Sequence, residues 1–396
     1  MTHEIKRTYR YRIYPNGGQR QMLARTFGCS RWVYNWALDK KRSAWMDDEK
    51  ENVTVTDLDA RLPELKRQEE TKWLSEVSAV TLQQSLRNLS NAYENFFAGR
   101  SEHPTFKRKN GKQTARYTGS AFDLREDEVT GKTKLRLAKM DGLVNINFSR
   151  DLPSSPSSCT VTKNASGQYH VCLVCTEKVK EFSQVGENKL KTVGVDLGLK
   201  HIAITSDGQK WGNPRWYENE YRRLRREQKK LSRKSKGSNN YARQRKRVAR
   251  IHQKIKDRRK DFIEKLTTRL ARENDVIVVE GLAVKNMMAN DKLARHIGSA
   301  GWRKIISRLK DKCKWYGRTL VIANQWFPSS QLCSSCSWQY EDLSRDEREW
   351  TCSGCGCVHG RDVNAAKNLS RVGQTRIHAP GDLDKPDAFT VVGTDR

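Results

Sequence analysis

Lys191-Thr-Val-Gly-Val-Asp-Leu-Gly-Leu-Lys-His-Ile-Ala-Ile-Thr-Ser-Asp-Gly208 is the stretch on which the reading of the chain turns. Two β-branched runs flank Gly198, and the second, His201 to Thr205, stops at the turn dipeptide Asp207-Gly208, so the spacing predicts a β-hairpin. Its first strand carries one carboxylate, Asp196, into the turn. An Asp before Leu-Gly can simply cap that turn. A chemical role for Asp196 requires partners elsewhere in the chain.

Two later carboxylates answer to it. Asp275-Val-Ile-Val-Val-Glu280-Gly-Leu is a continuous apolar run, the pattern of a strand buried on both faces, and it brings Glu280 to the edge of a core. A Glu there needs a cation or a strong hydrogen-bond network beside it. His359-Gly-Arg-Asp362-Val-Asn-Ala-Ala-Lys-Asn-Leu369 reads as a helix start, where Asp362 alone would be an N-cap. Taken together, a hairpin-strand Asp, a strand-end Glu and a helix-opening Asp follow the order in which the ribonuclease-H-like fold assembles three acids. Such a group cannot fully ionise without a cation, and hard oxygen ligands select Mg²⁺ or Mn²⁺. Two such ions can activate a water and stabilise the leaving 3′ oxygen of a phosphodiester.

Between Glu280 and Asp362 the pattern predicts a helix from Gly301 to Tyr316 and a strand from Arg318 to Ala323. Cys333-Ser-Ser-Cys336 and Cys352-Ser-Gly-Cys355 then form two Cys-x-x-Cys knuckles at the spacing of a four-thiolate zinc ribbon. Half of the ten cysteines crowd into Cys333 to Cys357, which points to metal rather than to disulfides. Cys357 and His359 are spare soft ligands beside the set. Cys172-x-x-Cys175 has the same spacing, but on a strand residues three apart face opposite sides and cannot readily grip one ion.

Lys and Arg number 76 against 46 Asp and Glu, a net charge of +30. A polyanion would relieve that self-repulsion, so nucleic acid is the expected partner. No apolar run approaches the roughly 18 residues of a membrane span, and the N-terminus lacks a signal-peptide apolar core. The expectation is a protein of the cytoplasm or the nucleoid, with no membrane association. Arg7 to Tyr14 alternates Tyr9, Tyr11 and Ile13 with Arg10 and Arg12, a period-two strand. Helical spacing follows over Gln19 to Trp45 with a break near Gly28, over Val53 to Glu70 with an interruption at Pro63, and over Ser75 to Phe97. Aromatics there read first as core. Strand signals occupy residues 117 to 185. Pro214 to Arg272 is strongly basic, breaks at Lys236 to Asn240 and reads as two long antiparallel helices with a backbone-binding surface.

In combination these motifs resemble the TnpB (OrfB) proteins of bacterial insertion sequences, relatives of the type V CRISPR nucleases. The resemblance rests on Gly194 to Gly198, Arg259-Lys-Asp-Phe-Ile263, Val278-Val-Glu-Gly-Leu282, Gly301-Trp302, Trp315-Tyr-Gly317, Phe327 to Gln331, the paired knuckles and Arg361-Asp-Val-Asn-Ala-Ala366. At the N-terminal end it rests on Tyr14-Pro-Asn, Phe27 to Trp36, Trp73 to Val77, Leu82 to Leu86 and Asn95-Phe-Phe97. It implies an α/β multidomain protein with an RNase H-like (RuvC) nuclease domain (186-325 and 360-371). A zinc ribbon (326-359) is inserted in it, with a β-barrel wedge domain (1-15 and 101-185), a helical recognition domain (16-100) and a mobile tail (372-396) making up the rest. By the same resemblance Asp196, Glu280 and Asp362 are catalytic acids that bind Mg²⁺ or Mn²⁺, and Cys333, Cys336, Cys352 and Cys355 hold Zn²⁺. Gln83 and Thr118 fall where relatives read a transposon-adjacent motif. The implied activity is RNA-guided cleavage of double-stranded DNA, the partners being a guide RNA and the target duplex, with the protein a monomer or a homodimer on the RNA. The alternatives are a guide-RNA-dependent DNA binder without cleavage, a protein-directed transposase or resolvase, and an actin-like ATPase sharing the Gly-Val-Asp-Leu-Gly turn. Three departures stand out: Gly360 where many relatives carry Asp, Gly281 where Asp, Asn or His follows the strand Glu, and Ser337 where a knuckle Gly is usual.

Overall fold

The computed structural model describes residues 2–46, 53–180, 190–344, 346–378 and 389–392. The chain divides into two compact units, Glu4–Glu177 and Lys178–Arg396 with Met1–His3.

In the first unit the alternation of Tyr9, Tyr11 and Ile13 becomes strand β1 (Thr2–Tyr14), with all three rings and chains buried. Helix α1 (Gly17–Met46) starts at a reciprocal cap, Gln19 N donating to Asn16 Oδ1 and Asn16 N to Gln19 Oε1. It runs unbroken through Gly28, because Leu23, Phe27, Val33, Ala37 and Leu38 keep one buried face on both sides of it. That packing outweighs the ~1 kcal/mol that a helical Gly costs. The expected interruption near Pro63 falls at Arg61, with Pro63 in the first turn of α3 (Leu62–Leu65), after α2 (Val55–Ala60). A 3-10 helix (Glu69–Glu76) leads into α4 (Ala79–Phe97). Then follow β2 (Gln113–Thr118), β3 (Phe122–Glu126), β4 (Thr133–Leu137), β5 (Asn145–Asn147), β6 (Ser158–Lys163) and β7 (Tyr169–Lys180). The sheet order β2-β6-β7-β1-β5 seats the N-terminal strand between late strands, so the helices form an insertion. The β3–β4 hairpin joins through the Leu135↔Val144 bridge and shares the same core.

The second unit holds β8 (Thr192–Asp196), β9 (His201–Thr205) and β10 (Lys210–Gly212), the predicted hairpin and its extension. The basic segment forms α5 (Trp216–Ser232) and α6 (Asn239–Glu273), joined over a core of Trp216, Leu224, Val248, Ile251 and Ile255. Next come β11 (Val276–Glu280), the short α7 (Val284–Met287), α8 (Asp291–Ala300), α9 (Trp302–Tyr316) and β12 (Thr319–Ala323). The ribbon hairpin is β13 (Glu349–Thr351) and β14 (Val358–Gly360), and α10 (Arg361–His378) and β15 (Phe389–Val392) complete the unit. Its sheet runs β10-β9-β8-β11-β12-β15, antiparallel on the hairpin side and parallel from β8 through β12. That is the ribonuclease-H-like arrangement with one added antiparallel edge strand.

Strand β11 explains its own apolar run. Ile277 and Val279 face α6 and α9, where Ile263, Leu266, Ile305 and Leu309 are buried, while Val276 and Val278 pack toward Leu369 on the opposite face. The expected tail from residue 372 differs from the structure: α10 continues to His378 and Phe389–Val392 pairs with β12, while 379–388 and 393–396 lie outside the described residues. Among the described residues no helix is long and apolar enough to cross a membrane.

Candidate active site and metal centre

Asp196 ends β8 and Glu280 ends β11, two adjacent parallel strands paired Val279↔Val195, so register alone carries both carboxylates to one end of the sheet. Helix α10 brings the third. It packs against β8 because Gly194 lets it: a Cβ there would stand 1.9 Å from the Ala366 carbonyl oxygen and 2.5 Å from the Ser370 nitrogen. The close approach places Asp362, in the first turn of α10, over the strand ends; it is not the N-cap that its position suggested. Asp196, Glu280 and Asp362 line one cavity of about 250 Å³ with Ser329, Ser330, Arg348, Arg361 and Ala365.

The electrostatics are those of a site short of positive charge. Burial and then the charges of Glu280 and Asp362 push Asp196 up to about 7, with Arg361 opposing them. Burial likewise raises Glu280 against the pull of Arg361. Arg348 comes within 3.5 Å of Asp362. The donors are oxygens only, the kind a hard divalent cation takes, with Asp196 kept from ionising freely by burial and its acidic neighbours, although among the described residues only Cys333, Cys336, Cys352 and Cys355 gather their ligand atoms within 4.8 Å of one another.

Arg348, Arg361, Ser329 and Ser330 were not singled out from the sequence. Arg348 had one usable signal. The knuckles bracket a hairpin whose register, Glu349↔Gly360, sets Arg348 beside Arg361, and Arg361 N donates to Arg348 O at 2.8 Å.

The four ribbon thiols all lie within 4.8 Å of one another, with Cys336 Sγ 3.5 Å from Cys352 Sγ and Cys333 Sγ 3.6 Å from Cys355 Sγ. Sulfurs on a tetrahedral zinc stand about 3.8 Å apart, so the set fits Zn²⁺. Burial would raise the Cys333 thiol, but N–H groups of Cys336 and Ser335 and the ring of His359 outweigh it and bring it to about 5. His359 is buried with Nε2 3.0 Å from Cys333 Sγ, whereas Cys357 is exposed. The knuckles are two copies of one turn: Gly356 N donates to Cys352 O and Ser337 N to Cys333 O, at φ +73° and +66°. Ser337 thus keeps the tight turn at the cost of a left-handed backbone.

The motif Arg361-Asp-Val-Asn-Ala-Ala has a physical reading residue by residue. Arg361, Asp362 and Ala365 face the cavity, and Ala366 meets Gly194. Asn364 clamps the first knuckle, accepting from Ser334 N and donating to Leu332 O, and Asn368 donates to the carbonyls of Ser329 and Leu332. Gly281 has its own cause, since a Cβ there would stand 2.2 Å from the Ala323 carbonyl oxygen. Its missing side chain lets the chain after β11 close on the end of β12.

Gln83 and Thr118 both belong to the first unit. Gln83, on α4, donates to Asp59 Oδ2 at 3.3 Å, and Thr118 ends β2. Neither lines the cavity of about 390 Å³ nearby, which is walled by Thr81, Ser85 and Asn88 of α4 and by Arg31, Lys107, Arg108 and Lys112.

Comparisons with known proteins bear on the family and the fold. The family described as "Probable transposase" matches residues 173–291, and "Cas12f1-like, TNB domain" matches 302–369. A "Helix-turn-helix domain" matches 1–50, although the described residues there form one strand and one continuous helix. A solved structure, the Cas12f1-sgRNA-target DNA complex, superposes with a TM-score of 0.57 at 11% identity over 93% of this chain and 99% of that one, a likeness of fold. A "Putative RNA-guided DNA endonuclease" of Escherichia coli K12 is 27% identical, covering 92% of both chains. One of the same name from Streptomyces pristinaespiralis is 43% identical over 376 residues, 94% of this chain and 90% of its own. On that similarity along nearly the full length, the chain belongs to the TnpB (OrfB) family.

Proposed function

We propose that this protein is an RNA-guided DNA endonuclease with a single metal-dependent site at Asp196, Glu280 and Asp362. The observation that carries the reading is the convergence of three acids from separate elements, with Arg348 and Arg361, on one cavity. Bound there, Mg²⁺ or Mn²⁺ would supply an activated water and charge stabilisation for the leaving 3′ oxygen. The chain's own residues set the stage for it. Asp196, Glu280 and Asp362 offer the oxygen ligands. Arg348 and Arg361 attract and orient the phosphodiester, and Arg348 exchanges its contact with Asp362 for one with the phosphate. Zn²⁺ at Cys333, Cys336, Cys352 and Cys355 is structural, because four thiolates leave no open position.

The basic surfaces, α5 and α6 foremost, bind a guide RNA and the RNA–DNA heteroduplex by backbone and shape, and base pairing reads the sequence. A β-barrel wedge built from β1 to β7 and the helical insert together read the transposon-adjacent motif, with Gln83 of α4 and Thr118 of β2 as contacts to the duplex. The decisive experiment purifies the protein with its co-expressed RNA and challenges it with plasmids of randomised flank. Cleavage next to a fixed short motif, absent in Asp196→Ala while target binding persists, is the expected result. A nucleic-acid-free preparation that cuts specific DNA would instead make it a protein-directed recombinase. Binding without cleavage by the parent would make it a guided binder.

A further inference from the structure

Trp326 stands apart from the other tryptophans whose side chains are described. It is 81% exposed, while the next, Trp338 at 37%, leans on Tyr340. An indole held in water leaves both ring faces free to stack on a flat partner. The backbone beneath it is fixed. Trp326 N donates to Asn324 Oδ1 at 2.9 Å and Phe327 N to Asn324 O at 3.1 Å. Phe327 packs on the core of Val276, Val321 and Leu369, and Ser329 O accepts from Asn368 Nδ2 of α10 at 2.8 Å.

That anchored turn leads straight into the acid cavity, whose wall includes Ser329 and Ser330. Three residues of chain reach at most about 11 Å, so the Trp326 backbone lies within that distance of Ser329. An exposed aromatic on the turn that feeds a cavity carrying cations is a pairing suited to single-stranded nucleic acid, since any base can stack whatever its identity. Arg348 and Arg361 provide the cations.

We propose that Trp326 stacks an unpaired nucleobase of the DNA strand entering the cavity and so sets which phosphate reaches Asp196, Glu280 and Asp362. It is a positioning residue, and the proposal rests on the nuclease reading above. Stacking of this kind is worth about 5- to 100-fold in rate when removed.

The test compares Trp326→Ala and Trp326→Phe, each purified with co-expressed RNA, on an end-labelled target under single turnover. Trp326→Ala is expected to cleave about 5- to 100-fold more slowly, with cuts spread over neighbouring phosphates. Trp326→Phe should restore most of the rate and the narrow cut pattern, and target binding in an Asp196→Ala background should not change. A second readout is independent of cleavage: quenching of a 2-aminopurine-labelled single strand by protein free of Mg²⁺ and Mn²⁺, lost in Trp326→Ala and kept in Trp326→Phe. Parental rate and cut pattern in Trp326→Ala, equal impairment of both variants, or a changed mass of the RNA-bound complex in Trp326→Ala would each overturn the proposal. If the parent cuts no DNA yet quenches through Trp326, the nuclease reading fails and the stacking site stands.

Discussion

Replacing Asp196 by Asn should make the protein free of Mg²⁺ and Mn²⁺ more stable above neutral pH while abolishing its cleavage. In the folded protein this carboxyl is pushed from 3.8 to about 7, by burial first and then by Glu280 and Asp362. At 1.36 kcal/mol per pH unit, that rise corresponds to ~4 kcal/mol. An amide escapes both the burial of charge and the repulsion, and relaxation and water penetration around the ionised acid lower the net gain to on the order of 1–3 kcal/mol. The sign follows from proton binding. Between about pH 4 and 7 the folded state holds a proton that the unfolded state has lost, so stability declines as pH rises through that window and the loss is complete above it. Asn carries no such proton. The gap between variant and parent should therefore be near zero at pH 4 and full at pH 8.

For a unit of this size each kcal/mol moves the melting temperature by about 2–4 °C, which gives an increase of about 2–12 °C at pH 8. The assay is calorimetry from pH 4 to 8 in buffer without Mg²⁺ or Mn²⁺ but with the ribbon zinc left in place; a strong chelator would confuse the two sites. Adding Mn²⁺ should then stabilise the parent and leave the variant unmoved. A variant less stable than the parent at pH 8, or a gap that does not change with pH, would refute the account of three acids in want of a cation.

Arg348→Ala should lower the single-turnover cleavage rate about 100-fold or more with little change in target binding, because its guanidinium acts at the cavity and not along the duplex. Gly194→Ala forces α10 off β8 to clear the Ala366 carbonyl, so a loss of at least ~3 kcal/mol in thermal unfolding and loss of cleavage are expected. Ser337→Gly relieves a left-handed φ of +66° and should stabilise the zinc-loaded ribbon by about 1 kcal/mol, read as slower zinc release to a chromogenic chelator. Cys333→Ser should remove bound zinc by elemental analysis and abolish cleavage by loosening the start of α10; full activity in the zinc-free variant would show the ribbon to be dispensable.

The parts legible in the sequence were those governed by short-range period. The alternation of β1, the two-faced apolar run of β11 and the paired knuckles each carry their structure locally. The acids could be listed in order, but their convergence depends on sheet register and on Gly194, neither of which a local pattern reports. Arg348 is one cation among 76 Lys and Arg residues, and only the hairpin register singles it out. The far end of α10 was missed for a related reason. The motifs that carry the resemblance end near residue 371, while the lack of a side chain at Gly373, which lets the helix press on Val278 and Thr192 and continue, is felt only through the packed sheet.

The ribbon's position between β12 and α10 follows from what α10 has to do. On one side Ala366 and Leu369 seat the helix on β8 and β11; on another, Asn364, Asn368 and Arg371 reach the backbone of Leu332, Ser329 and Ser334 around the first knuckle. Asp362 is thus fixed from two directions, by the sheet that carries the other acids and by the zinc-braced turn. The same brace supplies Arg348, whose carbonyl is hydrogen-bonded to Arg361 N while its guanidinium reaches Asp362. Zinc at the four thiols, on the proposed reading, would therefore set where one carboxylate and one guanidinium stand without itself entering the reaction. Ribbon damage is expected to reach cleavage through the start of α10 and not through the other acids, so it should leave the pH dependence set by Asp196 in place.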